Sequence, residues 1–175
     1  SGLHEDSSFL HFCEEHQSWL RPYAWYCTLR DLHPAVTPQE WAEGDRYHDE
    51  LHDTLSQKSD LYESYRYYCW LQYELDRQLV VVASACAERG VSLKGDLPIG
   101  VAPYSVEVWS RPELFHLDQS AGAPPDAFAA DGQNWGFPTY NWEHMAEDNY
   151  AWWRGRLQHQ ERYFSALRID HILGF

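Results

Sequence analysis

Two charged residues, Arg168 and Asp170, stand two positions apart in the otherwise apolar segment ALRIDHILGF, and His171 follows directly. On a β-strand, residues two apart project from the same face, so the guanidinium group would lie beside the carboxylate. A neighbouring arginine favours the ionised form of a carboxylate, which can act as a nucleophile or stabilise a cation. The spacing alone nevertheless favours a structural Arg–Asp ion pair at a strand end, because three polar residues carry little specificity.

A second carboxylate, Asp96, lies in the segment KGDLPIG on another strand candidate. Gly95 before it permits close approach of a ligand or of backbone. Polar residues at the C-terminal ends of parallel barrel strands sit in the active site, so Asp96 could line the same mouth as Asp170. Spacing alone favours the simpler interpretation, a turn residue that hydrogen-bonds the backbone.

Two further segments combine turn residues with hydrogen-bonding side chains. Asp126 follows a Pro-Pro pair in GAPPDAF, and Gln133, Asn134 and Trp135 lie between glycines in GQNWG. Amides next to an indole on a stiff loop offer hydrogen bonds and a stacking plane, which suits a polyhydroxylated ring. A turn stabilised by its own amide side chains explains the same residues equally well.

The sequence predicts no cofactor and no metal. His48 and His52 are four apart, as metal-binding histidines on a helix can be, but their acidic surroundings favour a solvated surface. The four cysteines, Cys13, Cys27, Cys69 and Cys86, show no CxxC spacing and lie in helix-like, apolar contexts. We therefore predict buried free thiols in a reducing cytosol, and not a disulfide framework.

Composition excludes several classes of function. The formal net charge of -14 argues against binding to nucleic acid or to an anionic membrane surface, both of which need clustered Lys and Arg. No apolar run reaches the roughly 18 residues of a membrane span, so we predict a cytoplasmic protein. Nine Trp and twelve Tyr indicate mainly an aromatic core, and secondarily a carbohydrate ligand.

The elements that must position these residues follow from periodicity and from Pro and Gly. The first half of the pattern predicts a helix over 8–31 that is interrupted at Pro22, then a loop with a short helical piece over 33–58. A helix over 60–89 follows, which is long enough to be kinked or broken. The second half predicts a strand within 91–101, a long irregular loop over 102–140, a helix capped by Asn141, and a strand within 165–175. Gly90 suits the residue after the long helix.

This order is one β-α-β crossover after a helical preamble, with helix content dominating. Two parallel strands do not make a stable sheet by themselves. The residues therefore predict either part of a larger α/β protein or a chain whose sheet partners are missing. A non-catalytic binding scaffold, or a chain that self-associates through its bare strand edges, remain alternatives.

The segments KGDLPIGV, SVEVWSRPELF, GAPPDAF, DGQNWGFPTYNWEHMAEDNYAWWR and LRIDHILGF together resemble the 4-alpha-glucanotransferases, that is, the amylomaltases and disproportionating enzymes of the α-amylase superfamily. The resemblance is nearest to type-2, maltose-disproportionating members. It implies an α/β fold: a partial (β/α)₈ TIM barrel over 91–175, holding the third and fourth strands with their connecting loop and helix, after a helix-rich inserted subdomain over 1–90.

The resemblance also implies residue roles. Asp170 would be the catalytic nucleophile and Arg168 would hold and orient it, with His171 next to them. Gln133, Asn134 and Trp135 would belong to a loop over the acceptor side, with Asp126 near it, and Tyr104 and Ser105 would occupy the position after the third strand where many amylomaltases carry Asp-Ser.

The implied reaction is the retaining, double-displacement transfer of glucosyl or maltooligosaccharyl units between α-1,4-glucans, or maltose, and acceptor sugars. In the family the acid/base glutamate comes from the fifth strand, and no segment here matches its motif. We therefore expect the 175-residue chain by itself to be inactive.

Overall fold

The computed structural model of the chain describes residues 6–170. They form two compact units, and the division falls between Leu79 and Val80. We call 6–79 the helical unit and 80–170 the strand unit. The sequence-based division into 1–90 and 91–175 concerns the organisation of a whole barrel domain and stays a prediction.

Four α-helices and two short 3₁₀ turns build the helical unit, the last helix running on into the strand unit. They are α1 (Ser7–Glu15), α2 (Gln17–Leu32), the 3₁₀ turns Pro38–Glu40 and Glu43–Asp45, α3 (Leu51–Leu55) and α4 (Ser59–Glu88). The carboxylate of Asp6 caps α1 by accepting a hydrogen bond from the amide of Ser8 at 2.9 Å. The loop with a short helical piece that the sequence predicts over 33–58 is confirmed.

The predicted break at Pro22 is wrong. The chain leaves helical geometry at His16, with φ -102° and ψ 11°, whereas Pro22 lies inside α2. A proline inside a helix lowers the stability of that helix by about 3 kcal/mol, because it removes one backbone hydrogen bond and its ring clashes with the preceding turn. Continuous burial of α2 from Ala24 to Leu29 offsets that cost, so packing decides where the helix breaks.

The long helix α4 is uninterrupted over 30 residues, so it is not broken. It ends as predicted at Gly90, which has φ +69°. The amides of Gly90 and Val91 donate hydrogen bonds to the carbonyl oxygens of Ala87 and Cys86, respectively. This pair of hydrogen bonds is typical of a Schellman cap. Despite this length, no helix within 6–170 is apolar enough over a sufficient stretch to cross a bilayer.

Aromatic rings fill the core of the helical unit, as the composition predicts. Trp25 is 1% exposed and stacks on Tyr65 with ring centroids 4.4 Å apart. Its indole nitrogen donates a hydrogen bond to Nδ1 of His52 at 3.1 Å. His52 is therefore half-buried against this core, which corrects its interpretation as solvated surface, while His48 is exposed as predicted.

The strand unit holds short elements around one parallel strand pair. They are β1 (Lys94–Leu97), α5 (Val106–Ser110), the 3₁₀ turn Pro112–Leu114, β2 (Phe115–His116), β3 (Gly122–Ala123), β4 (Gln133–Asn134), β5 (Thr139–Tyr140), α6 (Trp142–Glu147), α7 (Ala151–Glu161) and β6 (Ala166–Ile169). β1 and β6 pair in parallel from Lys94↔Ala166 to Leu97↔Ile169, which confirms the β-α-β crossover.

The segment 102–140 is not the irregular loop that the sequence predicts. It contains the helix α5 and two antiparallel ladders, β2 with β5 and β3 with β4. Each ladder is two residues long, too short to leave a periodic signal. The segment is thus pinned at several points and can hold side chains in fixed positions.

The single helix predicted after Asn141 is two helices. Asn141 caps α6 as expected, accepting a hydrogen bond from the amide of His144 at 3.1 Å. Asn149 and Tyr150 then adopt left-handed backbone, both with φ 57°, which ends the helical path. The carboxylate of Asp148 accepts from the amide of Ala151 at 2.9 Å and restarts the chain as α7.

The core of the strand unit lies under β1. Its buried members are Leu97, Val101, Val108, Leu114, Phe115, Tyr140, Met145 and Trp153. Gly95 shares the buried face of β1 with Leu97, and a Cβ there would stand 2.6 Å from the Phe164 ring. One face of β1 is thus packed, while the alternate residues Lys94 and Asp96 are exposed.

Candidate functional site

Arg168 joins two carboxylates at the end of the parallel strand pair. Asp96 on β1 is its cross-strand neighbour, and Nη1 of Arg168 donates to Oδ2 of Asp96 at 2.7 Å. Nη2 of the same guanidinium donates to Oδ1 of Asp170 at 2.7 Å. The strand alternation that places Arg168 and Asp170 on one face also places Asp96 there, so the structure brings together three residues singled out in the sequence.

The electrostatics of this cluster favour the charged form of Arg168. The pKa of Arg168 is raised above its usual value, first by the hydrogen bond from its guanidinium to Asp96 and then by the negative charges of Asp170 and Asp96. All three side chains are more than half exposed, at 52–59%. Exposed ion pairs contribute little to folding stability, so this cluster adds little to the fold.

Asp170 also lines a cleft of about 400 Å³, together with Ile99, Trp135 and Phe137. The rings of Trp135 and Phe137 stack with centroids 5.8 Å apart and planes 26° from parallel. Gly100 makes room for this wall, because a Cβ there would stand 2.3 Å from the Phe137 ring. A carboxylate and an aromatic wall thus line one cleft, which can take a ligand that has both a flat apolar face and polar groups.

The β3–β4 hairpin holds Trp135 in place. Gly122 permits the pairing, since a Cβ there would lie 1.9 Å from the carbonyl oxygen of Gln133. The side-chain oxygen of Gln133 accepts a hydrogen bond from the indole nitrogen of Trp135 at 3.0 Å. Gln133, itself exposed, therefore fixes the direction of the indole beside the cleft.

Asn134 and Asp126 stabilise the hairpin itself. Oδ1 of Asn134 accepts from the Ser120 hydroxyl at 2.6 Å and from the Gly136 amide at 2.9 Å. Oδ1 of Asp126 accepts from the amides of Phe128 and Ala129 at 2.8 and 2.7 Å. These contacts agree with the alternative given in the sequence analysis, in which Asn134 and Asp126 stabilise a turn.

The remaining predicted site residues lie apart from the cleft or beyond the described chain. The Ser105 hydroxyl caps α5, accepting from the amide of Val108 at 3.4 Å, and Tyr104 before it is 55% exposed. Neither lines the cleft beside Asp170. His171 lies outside the described residues.

Sequence reasoning missed Phe128 at the tip of the hairpin. Its side chain is 99% exposed, although its backbone amide is fixed by Asp126. The signal was available in GAPPDAF, where a large apolar residue follows a Pro-Pro-Asp turn and has no periodic partner.

Across 6–170, no three His, Cys, Asp or Glu side chains are grouped so that they could hold a metal ion. All four cysteines are free, with Cys27 and Cys69 buried and Cys13 and Cys86 half-buried. The chemistry available at the site is therefore that of carboxylates, a guanidinium and aromatic rings.

The profile of the 4-alpha-glucanotransferase family (glycoside hydrolase family 77) matches residues 2–175. The chain is 47% identical over 172 residues to the 4-alpha-glucanotransferase DPE2 of Oryza sativa subsp. japonica, covering 97% of this chain and 18% of that protein. It is 35% identical over 173 residues to the 4-alpha-glucanotransferase of Chlamydia caviae, covering 99% of this chain and 32% of that protein.

Solved structures agree with this match. An amylomaltase from Streptococcus agalactiae in complex with acarbose superimposes with a TM-score of 0.82 at 32% identity, over 95% of this chain and 35% of the other. The mixed α/β fold, dominated by helices, is thus that of part of an amylomaltase. The chain belongs to the 4-alpha-glucanotransferase family, and it spans about a fifth to a third of the length of these relatives.

Proposed function

We propose that this chain supplies the attacking carboxylate of a retaining 4-alpha-glucanotransferase, with Asp170 as the nucleophile. The observation that carries the proposal is the position of Asp170, held by Arg168 and facing the aromatic wall of the cleft. A nucleophile of this reaction must be ionised, oriented and adjacent to a bound sugar ring. The contact with Arg168 that orients Asp170, and the cleft that Asp170 lines, support the assignment.

The same proposal assigns β1 and β6 to the third and fourth strands of a (β/α)₈ barrel, with the helix-rich region before them as an inserted subdomain. Three features support the assignment: the parallel pairing, the crossover through α6 and α7, and polar residues at the C-terminal strand ends. Active sites of such barrels form at that end of the strands.

In the proposed reaction, an oxygen of Asp170 attacks the anomeric carbon of an α-1,4-linked glucosyl unit. The bond to the leaving oxygen breaks as a general acid protonates that oxygen, and a covalent glycosyl ester remains on Asp170. The hydroxyl of an acceptor sugar then attacks the same carbon and restores the carboxylate, so configuration is retained. Arg168 orients the carboxylate, and Asp96 positions Arg168 from the opposite side.

The acid/base residue is not assigned to any side chain of this chain, so we expect the 175 residues alone to be inactive. General acid–base catalysis typically contributes about 10²–10⁴-fold to the rate. Without it, the cluster of Asp170 and Arg168 binds a sugar but does not cleave it.

The substrate class follows from the shape of the site and from the relatives. Trp135 and Phe137 offer a flat apolar wall, and the exposed Phe128 offers a second ring on the same hairpin. The S. agalactiae relative is described in complex with acarbose. We assign an α-1,4-glucan, maltose or a maltooligosaccharide as ligand. The free cysteines agree with a cytoplasmic location, which stays a prediction.

A chimaera tests the proposal: these 175 residues replace the segment that they match in the rice relative. We expect the chimaera to release glucose from maltose, and Asp170→Asn to lower its kcat by at least about 10⁴-fold. Asp118→Asn is the matched control, since Asp118 is exposed in the same unit and outside the cluster. Full activity of the Asp170→Asn chimaera would refute the nucleophile assignment, and rapid turnover by the chain alone would refute its expected inactivity.

A second candidate function, glucan binding without transfer, is favoured by two rings carried by one hairpin, the fully exposed Phe128 and the half-buried Trp135. It predicts that the chain binds maltotetraose with a dissociation constant between micromolar and millimolar, and that Asp170→Asn leaves binding nearly intact. Isothermal titration calorimetry measures this. Binding that survives Asp170→Asn, together with an inactive chimaera, would favour this function over transfer.

Self-association is a further proposal about partners. Within 6–170, β1 and β6 pair only with each other, so each has one edge without a strand partner. Such edges favour pairing with a second copy. We expect a dimer or larger species in sedimentation velocity at micromolar concentration, and a clean monomer would contradict it.

A further inference from the structure

Two cysteines of the helical unit face each other where α1 packs on α4. The rings of Phe9 and Phe12 on α1 both contact the ring of Tyr73 on α4, with centroids 5.7 and 5.6 Å apart. The guanidinium of Arg66 lies 5.5 Å from the centre of the Phe9 ring. These contacts define one continuous helix–helix interface.

Cys13 and Cys69 continue the same interface by one helical turn. Cys13 lies four residues after Phe9 on α1, and Cys69 lies four residues before Tyr73 on α4. Residues four apart share a helix face, so both thiols point into the contact. The Cys69 thiol donates a hydrogen bond to the sulfur of Cys13, so the two sulfur atoms are direct neighbours.

The two thiols differ in access and acidity. Cys69 is 1% exposed, whereas Cys13 is half-buried and open to a small reagent. The hydrogen bond from Cys69 lowers the pKa of Cys13, and the charge of Arg66 acts in the same direction, while burial opposes both. Cys13 is therefore the more nucleophilic thiol, and Cys69 is placed to react second.

We propose that Cys13 and Cys69 form a reversible oxidation site, a disulfide that joins α1 to α4. The oxidant is a low-molecular-weight disulfide of the glutathione type. The Cys13 thiolate attacks one sulfur of the oxidant and expels one thiolate, leaving a mixed disulfide on Cys13. Cys69 then gives up its proton, attacks the Cys13 sulfur and expels the second thiolate. Two protein thiols and one oxidant disulfide become one protein disulfide and two small thiols.

The other two cysteines do not form such a pair. Cys27 is 3% exposed and hydrogen-bonds Tyr23, and burial raises its pKa. Cys86 lies on α4 in the strand unit, outside this helix contact. Replacing these two residues therefore gives a matched control that keeps the proposed pair.

The expected consequence of oxidation is a more stable helical unit. The disulfide would close the chain between residues 13 and 69 and so restrict the unfolded state. A loop of this length should raise the Tm of this unit by roughly 10 °C. The reduced protein has no such restraint, and it keeps the packing of Phe9 and Phe12 on Tyr73.

The test uses the purified chain in buffers of increasing ratio of oxidised to reduced glutathione. A cooperative thermal transition by circular dichroism is recorded first. Peptide mass spectrometry without reduction then identifies the cysteine pairs, and thiol titration counts the free sulfurs. We expect one Cys13–Cys69 disulfide in the chain and in the Cys27→Ser/Cys86→Ser variant, reversed by dithiothreitol.

Single variants separate the two steps. Cys69→Ser should accumulate one glutathione on Cys13, whereas Cys13→Ser should form no disulfide at Cys69. Oxidation in 8 M urea should be slower for this pair and should scramble it with Cys27 and Cys86. Four free thiols under excess oxidant, or scrambled pairing in native buffer at the rate seen in urea, would overturn the proposal.

Discussion

The helical unit and the strand unit solve different physical problems. The helical unit closes its core with stacked rings such as Trp25 on Tyr65. The strand unit leaves one face of its parallel sheet open, with Asp96 on β1 and Arg168 on β6 both more than half exposed. Parallel sheets are usually covered on both faces, so an open polar face marks where a ligand or further strands belong.

This difference separates stability from function along the chain. Substitutions that remove packing should act mainly in the helical unit, and substitutions that change charge should act mainly in the strand unit. The following four variants test that separation, in order of decreasing expected effect.

Replacing Trp25 with alanine should have the largest effect on stability. The indole is 1% exposed, stacks on Tyr65 and donates to His52, so its loss should lower the free energy of unfolding by about 3–5 kcal/mol. Urea titration followed by circular dichroism measures the change. Trp135→Ala, which removes a half-buried indole in the strand unit, should cost under about 1 kcal/mol. Equal losses of unfolding free energy in the two variants would contradict the proposed difference between the two units.

Replacing Gly100 with alanine tests the tight point of the strand unit. The new Cβ would stand 2.3 Å from the Phe137 ring, so the ring must move, at a cost of about 1–3 kcal/mol. Gly44→Ala is the counterpart in the helical unit, where nothing lies within 4 Å, and it should be neutral or slightly stabilising. Thermal melts of the two variants should therefore move in different directions.

Replacing Asp96 with asparagine tests the effect of removing one charge while the packing stays the same. We expect kcat of the rice chimaera to fall about tenfold with KM little changed, because Arg168 loses one of its two anionic partners. The Tm of the chain should stay within about 2 °C, since the ion pair is exposed. A large drop in Tm would show that Asp96 serves the fold instead.

The pH dependence of the helical unit should give the smallest effect. Burial lowers the pKa of His52 below its usual 6.5, and the charge of Arg21 acts in the same direction, against Asp53. The unfolded chain therefore binds this proton more readily than the folded chain, so stability is present above pH 6.5 and is lost as pH falls below it. Urea midpoints between pH 5 and 7.5 should show this loss, and His52→Gln should flatten it relative to the unmodified chain.

The sequence predicted the elements that have strong local signals. The periodicity of α4, its end at Gly90 and the cap at Asn141 need only near neighbours, and the structure agrees with all three. The break at His16 was missed because packing of α2 outweighed the local signal of Pro22. The helix break at Tyr150 depends on left-handed backbone geometry, which a tyrosine in the sequence does not predict.

The site was predictable in part for the same reason. Strand alternation places Arg168 beside Asp170, and the structure adds Asp96 through a register that no spacing reveals. The cleft beside Asp170 is also lined by Ile99 and Phe137, which lie in the quoted segments but were not singled out as site residues. Contacts across such separations arise from tertiary pairing, and a single sequence does not encode them visibly.

The pairing of β1 with β6 also has a consequence for how the protein is made. The hydrogen bond from Arg168 to Asp96 joins residues 72 positions apart. Chains of high contact order fold slowly, because distant segments must meet before any contact stabilises them. At about 5–20 residues per second, a ribosome needs roughly 4–14 s to make the residues between them. The helices of the helical unit can fold during that interval, whereas the edge of β1 stays unpaired until Arg168 on β6 has been synthesised.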